Sequence, residues 1–189
     1  MSGEVRHHLF ETAIGCCGIA WSDRGLIGVQ LPERDRATTA RRLAAKSGSV
    51  GEAEPPAAMA ALIEDIRKYL AGQNVDFAAV VVDLDGIEGI RRQIYEALRG
   101  IVFGRTTTYG ELARAIGRAD WEGARDVGDA MGRNPVPIVI PCHRVLAAGG
   151  KLGGFSAYGG SATKAKLLAL EGVRLGVRLD DSAPRLPGF

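Results

Sequence analysis

The sequence has only three cysteines, no apolar run approaching the roughly 18 to 20 residues that cross a bilayer, and almost no net charge, with 24 Lys and Arg against 22 Asp and Glu in 189 residues. Each shortage excludes a class of protein. Cys16, Cys17 and Cys142 form an odd set, and the opening Met1-Ser-Gly-Glu-Val-Arg-His-His8 has no apolar signal core. A disulfide-stapled exported domain is therefore not expected, and the thiols should be reduced in a cytoplasmic protein. A formal charge of +2, taken as an average, argues against a strong binder of polyanions. No glycine-rich phosphate loop follows a strand at the required spacing, so no nucleotide cofactor is implied.

What is present suffices for a folded body. Hydrophobic residues make up 46%, charged residues 24%, and mean hydropathy is +0.02, a composition able to bury a core. The pattern predicts an α+β protein of two domains, 1–86 and 87–189. In the first, His8 to Trp21 and Gly25 to Leu31 read as strands joined by a turn at Ser22-Asp-Arg-Gly25, and Val75 to Leu84 reads as a third strand. Arg36 to Lys46 reads as an amphipathic helix. Pro56 opens another that runs to Gly72, with Met59, Leu62, Ile63, Ile66, Tyr69 and Leu70 as its apolar stripe. From Ile87 the texture is helical: Ile87 to Gly100, Thr108 to Gly117, Gly123 to Met131 and, after a glycine-rich stretch, Ser161 to Glu171. The Thr108 and Gly123 helices, joined by Arg118-Ala-Asp-Trp-Glu122, have the outline of a helix-turn-helix. Dividing the charge at residue 86 is informative: nine basic and twelve acidic side chains precede it, fifteen and ten follow, so a net −3 stands before a net +5. The basic half is the one with the helix-turn-helix outline, as contact with phosphates requires.

Asn134-Pro-Val-Pro-Ile-Val-Ile-Pro-Cys-His-Arg-Val145 is the most unusual stretch. Prolines 135, 137 and 141 forbid a helix and stiffen the backbone ahead of Cys142. A cysteine becomes a nucleophile when a neighbouring histidine supports its thiolate, and His143 is the candidate base. In an extended strand these neighbours would point to opposite faces, so a turn at Pro141 or a bridging water is required. Glu171, closing the last helix, is placed to orient His143 and complete a Cys-His-Glu arrangement analogous to hydrolase triads. On these residues alone a plain alternative stands beside it: a buried thiol, a satisfied core histidine and a solvated glutamate.

Pro141-Cys-His-Arg-Val145, with Asn134-Pro-Val-Pro137 before it and Tyr109-Gly-Glu-Leu-Ala113 upstream, resembles the O6-alkylguanine-DNA alkyltransferase family, also called methylated-DNA--protein-cysteine methyltransferases. The likeness is dense over residues 87 to 175 and architectural before them. It implies a small antiparallel N-terminal sheet with helices, ribonuclease H-like, and a mostly helical, winged-helix-like C-terminal domain. It also implies a monomer, without cofactor, that flips O6-alkylguanine out of duplex DNA and moves the alkyl group irreversibly to Cys142 in a single turnover. Flipping has a physical reason, since the target atom of a stacked base is out of reach. Whether O4-alkylthymine is accepted stays open. By the same resemblance His143, through a water, generates the thiolate, Glu171 polarises His143, Tyr109 touches DNA and gives a proton to the leaving guanine, and Asn134 braces the active-site turn. Arg125 becomes the finger that fills the gap left by the flipped base, with Gly123 and Ala124 as small residues that bring their helix near the minor groove. Met131, Val145, Ser156, Ala157 and Tyr158 are expected to line the base pocket.

The sequence departs from that family in places. Asp126 and Asp129 stand where small neutral residues are usual, and carboxylates near phosphates weaken binding unless they pair with Arg118, Arg125 or Arg133. Tyr95 occupies a position commonly tryptophan, and Ile101-Val-Phe-Gly104 lacks a usual proline. The loop from Gly153 to Gly160 differs as well, which bears on the alkyl groups accepted. Some family members hold zinc, for which His7, His8, Cys16 and Cys17 are the residues to weigh. Adjacent pairs point apart on a strand and no Cys-x-x-Cys spacing exists, so no metal is expected. Two other functions compete: a non-catalytic sensor of alkylated DNA, disfavoured by the presence of Cys142, and a cysteine hydrolase, which needs neither Arg125 nor Tyr109.

Overall fold

Three short strands open the chain: β1 (Arg6–Thr12), β2 (Gly15–Ser22) and β3 (Gly25–Gln30), antiparallel in the order β1-β2-β3. The run expected as one strand, His8 to Trp21, is two. The Thr12 hydroxyl donates to the Gly15 carbonyl at 2.6 Å and accepts the Ile14 N–H, and Gly15 takes a φ of 120°, so the chain reverses at Ala13 and Ile14. The expected strand from Val75 to Leu84 is also absent as a regular element. The Val80 N–H bonds the Phe77 carbonyl in a turn, and only Val82 bridges Leu26, in parallel. β3 finds a further partner elsewhere, its Val29 N–H donating to the Pro135 carbonyl at 2.9 Å.

The computed structural model describes residues 3–175, and its chain divides into two compact units, Met1–Gly86 with Pro135–Val139 and Ile87–Asn134 with Ile140–Phe189. Residues 176–189 of the expected second domain lie outside the described part. In the first unit α1 (Arg36–Ser47) and α2 (Ala57–Leu70) cover the sheet. Leu9 and Phe10, as successive strand residues, point to opposite faces. Leu9 joins Ala20 and Leu43 of α1 in one cluster, while the guanidinium of Arg67 on α2 lies 5.6 Å from the Phe10 ring centroid. Cover on both faces explains why β2 is buried from Cys17 onward. All six residues of the α2 stripe are buried, which is what spacing of i, i+3 and i+4 dictates.

The second unit holds α3 (Gly89–Arg99), α4 (Tyr109–Ala115), α5 (Trp121–Gly132) and α6 (Ser161–Leu170), with a two-stranded parallel pair, β4 (Thr107–Thr108) and β5 (Val145–Leu146). Thr108 and Glu111 cap α4 reciprocally, which stops the chain from continuing as a strand. α5 starts two residues before its expected position because Asp120 caps it, accepting the Gly123 N–H at 2.7 Å. Among the described residues no helix is long and apolar enough to cross a membrane.

Tyr95 on α3 is fully buried and its hydroxyl donates to the Ala130 carbonyl of α5 at 2.9 Å. Burial pushes its phenol up to about 12, so it remains a donor. This bond fixes α3 against α5, and Tyr95→Phe should cost about 1 kcal/mol, or roughly 2–4 °C in Tm, in calorimetric or denaturant unfolding. An unchanged midpoint would show that the bond adds nothing to this packing.

Candidate active site and nucleic-acid interface

Pro141 ends the proline-rich run, and Cys142–Arg144 form a single 3-10 turn, the kind of turn that adjacent Cys142 and His143 need if both are to serve one site. The Ile140 carbonyl accepts both the Cys142 N–H at 2.8 Å and the Asn134 side-chain amide at 2.7 Å, so Asn134 clasps the two ends of the approach to the turn. Just upstream, buried Ile138 has a φ of 77°, the one positive φ of a non-glycine among the described residues. A β-branched residue there carries strain on the order of 1–3 kcal/mol, which the surrounding prolines hold in place.

Beneath the turn is a buried charge cluster. The Glu171 carboxylate accepts His143 Nε2 at 2.8 Å, Arg144 Nη2 at 2.8 Å, Arg144 Nε at 3.0 Å and the Gly104 N–H at 3.0 Å. Arg144 Nη1 also donates to the Ile101 carbonyl. Burial alone would raise the Glu171 pKa, but the hydrogen bonds and charges of His143 and Arg144 outweigh it and hold the carboxyl at about 2. Burial lowers His143 below the ordinary histidine value, with Glu171 opposing only in part. A neutral imidazole facing an ionised carboxylate must carry its proton on Nε2, which leaves Nδ1 as the basic nitrogen. Burial pushes the Cys142 thiol up, countered by a hydrogen bond from Asn134 and by the charge of Lys164. At rest the two groups are therefore a thiol and a neutral imidazole.

Sequence reasoning missed Arg144 and Lys164, because long cations are normally solvated. Lys164 on α6 is 1% exposed, and its ammonium donates to the Val145 carbonyl at 2.5 Å and the Gly154 carbonyl at 3.3 Å. It also stands 5.9 Å from the Tyr109 ring centroid. Tyr109 opens α4 half-buried, and burial first, then the Cys142 charge, raises its phenol, keeping it protonated. Gly153, at φ 68°, passes so close that a Cβ there would lie 3.5 Å from the Tyr109 hydroxyl. Tyr109, Lys164, Val145 and the start of the glycine-rich loop thus gather beside the Cys142 turn. Met131 and Val145 are buried, Ala157 is half-buried, and Ser156 and Tyr158 are exposed, the Tyr158 carbonyl accepting from Thr163 at 2.6 Å.

Arg125 is exposed on α5 and lines a shallow pocket with Arg118, Glu122, Asp126 and Asp129. Asp126 pairs with Arg118 at 3.3 Å, and Asp129 with Arg133 at 3.0 Å and Arg91 at 3.5 Å. The two acids are thus neutralised by arginines. Exposed pairs of this kind are worth about 0–1 kcal/mol. Gly123 is buried, and any side chain there would run into the Arg118 carbonyl, so the turn before α5 itself demands glycine, while Ala124 is half-buried. His7 Nδ1 bonds the Ser49 hydroxyl at 2.8 Å and His8 Nδ1 the Ala53 carbonyl at 3.2 Å, and no three His, Cys, Asp or Glu side chains among the described residues are grouped to hold a metal.

A rigid turn presenting a buried thiol, a histidine held by a carboxylate, and a pair of helices with an exposed arginine form the arrangement expected of a protein with a cysteine nucleophile and a helical nucleic-acid-binding unit. Residues 89–173 match the family described as 6-O-methylguanine DNA methyltransferase, DNA binding domain. The chain is 41% identical over 167 residues to the methylated-DNA--protein-cysteine methyltransferase of Mycolicibacterium paratuberculosis, covering 88% of this chain and 92% of that one. It is 35% identical over 158 residues to the protein of the same name from Methanothermobacter thermautotrophicus, covering 84% and 80%. The crystal structure of Mycobacterium tuberculosis OGT in complex with DNA superposes with a TM-score of 0.70 at 32% identity, over 88% of this chain and 92% of that one. This chain belongs to the methylated-DNA--protein-cysteine methyltransferase family.

Proposed function

We propose that this protein repairs alkylated double-stranded DNA by taking the alkyl group of O6-alkylguanine onto Cys142, once per molecule. The observation that carries this reading is the buried His143–Glu171 pair at 2.8 Å, set next to the Cys142 turn. In the transfer the sulfur attacks the alkyl carbon, a C–S bond forms and the C–O6 bond breaks, its electron pair remaining with guanine. The thiol proton passes by way of a water to His143, whose cationic form Glu171 stabilises. Tyr109, protonated and half-buried, supplies the proton that guanine takes up on leaving. Lys164 fixes the Val145 and Gly154 carbonyls and adds positive charge near the forming thiolate. Asn134 keeps the turn in shape.

On the DNA side Arg125 is the finger that occupies the space of the flipped base, with Ala124 and Gly123 letting α5 approach the minor groove. Met131, Val145, Ser156, Ala157 and Tyr158 shape the pocket for the flipped base. The first unit is of ribonuclease H-like type and the second of winged-helix type. A thiol acceptor needs a reducing compartment, which supports a cytoplasmic protein. Incubation with a duplex containing O6-methylguanine should add one methyl group to the peptide that contains Cys142, read by intact and peptide mass spectrometry. Lesion binding without an adduct would favour a sensor, and repeated turnover of an ester would favour a hydrolase.

A further inference from the structure

Trp121 is the most exposed of the large hydrophobic side chains described, at 70%, whereas the other tryptophan, Trp21, is buried at 8%. It is the first residue of α5, and Arg125 follows one turn later on the same helix face, about 6 Å along the axis. The surface around it is charged and internally paired, through Arg118 with Glu122 and Asp126. Such a surface offers no continuous apolar patch for a protein partner. The helix N-terminus does not invite phosphate either. The Asp120 carboxylate already takes the Gly123 N–H, and Glu122 adds a second negative charge in the first turn. What fits an exposed indole beside an arginine is a ligand with both phosphates and flat uncharged faces.

We infer that Trp121 is a DNA contact of the uncharged kind, its indole packing on deoxyribose and base surface next to the site of Arg125. This rests on the alkyl-transfer reading of the same face and adds a second recognition residue to it. Aromatic side chains hold nucleic acid by stacking or wedging at base steps, without neutralising phosphate.

The test uses the full chain, a duplex carrying O6-methylguanine, and the variants Trp121→Ala and Trp121→Phe. Trp121→Ala should weaken duplex binding about tenfold and Trp121→Phe only a few-fold. Transfer from the free base O6-methylguanine should be unchanged in both. The slope of log affinity against log salt should also match wild type, since no phosphate contact is lost. Wild-type tryptophan fluorescence should change on adding DNA, and that change should vanish in Trp121→Phe. Binding by Trp121→Ala within twofold of wild type, or a salt slope reduced by about one phosphate, would overturn the contact. If the wild-type protein left the methyl group on the duplex, the transfer reading would fall, and duplex binding by the two variants would still decide the role of Trp121.

Discussion

Cys142→Ala is expected to yield no methyl adduct at all while binding a lesion-containing duplex within a few-fold of wild type. Loss of the thiol removes the proposed nucleophile from the 3-10 turn, while the imidazole of His143 stays held through Nε2 by Glu171. The backbone of the turn does not depend on the sulfur. The turn is held by the Cys142 backbone N–H and by Asn134, both on the Ile140 carbonyl. The Arg125 face lies on a different element. Cys142→Ser sharpens the same point, because a hydroxyl is far less acidic than a thiol and the His143–Glu171 pair that suffices for a thiol should not ionise it. Intact mass after incubation with lesion duplex reads transfer, and fluorescence anisotropy at fixed salt reads binding. An adduct forming at the wild-type rate in Cys142→Ala would place the acceptor elsewhere, on Cys16 or Cys17. Loss of binding together with transfer would mean that the thiol shapes the base pocket as well as attacking the base.

Much of this architecture was legible from periodicity and end signals, which are local. The α2 stripe from Met59 to Leu70 is read by spacing alone, and every residue in it is buried. Local signals also misled. His8 to Trp21 runs longer than ordinary strands, and its reversal at Ala13 and Ile14 depends on a threonine hydroxyl and one glycine, without the usual paired turn residues. The Ala-Ala-Val-Val-Val run near residue 80 has strand propensity, yet Val81 ends exposed and the run meets β3 at Leu26 alone, through the Val81 carbonyl and the Asp83 N–H. At the site, the Cys142 and His143 pair was marked by its prolines, and Glu171 by its place at the end of α6. Arg144 and Lys164 escaped notice because their burial depends on carbonyls of Ile101, Val145 and Gly154, contacts that exist only after the chain has closed. A clue was available in Arg144, which adjoins His143 inside the same rigid motif.

Glu171→Gln is expected to lose about 3 kcal/mol of stability at neutral pH and to slow methyl transfer in the molecules that remain folded. One carboxylate there answers three groups, His143, Arg144 and the Gly104 N–H. An amide has a single acceptor oxygen and turns N–H donors toward groups that are themselves donors. Arg144, buried with Glu171, is left without a countercharge, and breaking a buried pair costs about 3–5 kcal/mol. The lowered pKa of the carboxyl, about 2 against an ordinary 4.5, points the same way, since its hydrogen bonds to His143 and Arg144 favour the ionised form in the folded state. A depressed acid stabilises the fold above its unfolded pKa and ceases to do so as pH falls toward its folded pKa. The gap in unfolding free energy between wild type and Glu171→Gln should therefore be full above about 4.5 and shrink steadily toward 2. A gap that ignores pH across this window would show that Glu171 acts by shape and not by charge. Transfer should respond differently, because it depends on His143 as a base. Without the carboxylate, His143 keeps the lowering effect of burial and loses the group that opposes it, so it becomes a weaker base. The single-turnover rate of Glu171→Gln, measured where the variant is fully folded, should remain below wild type even at pH values where both histidines are neutral. That separates a histidine that merely fails to titrate from one that no longer draws the proton from Cys142.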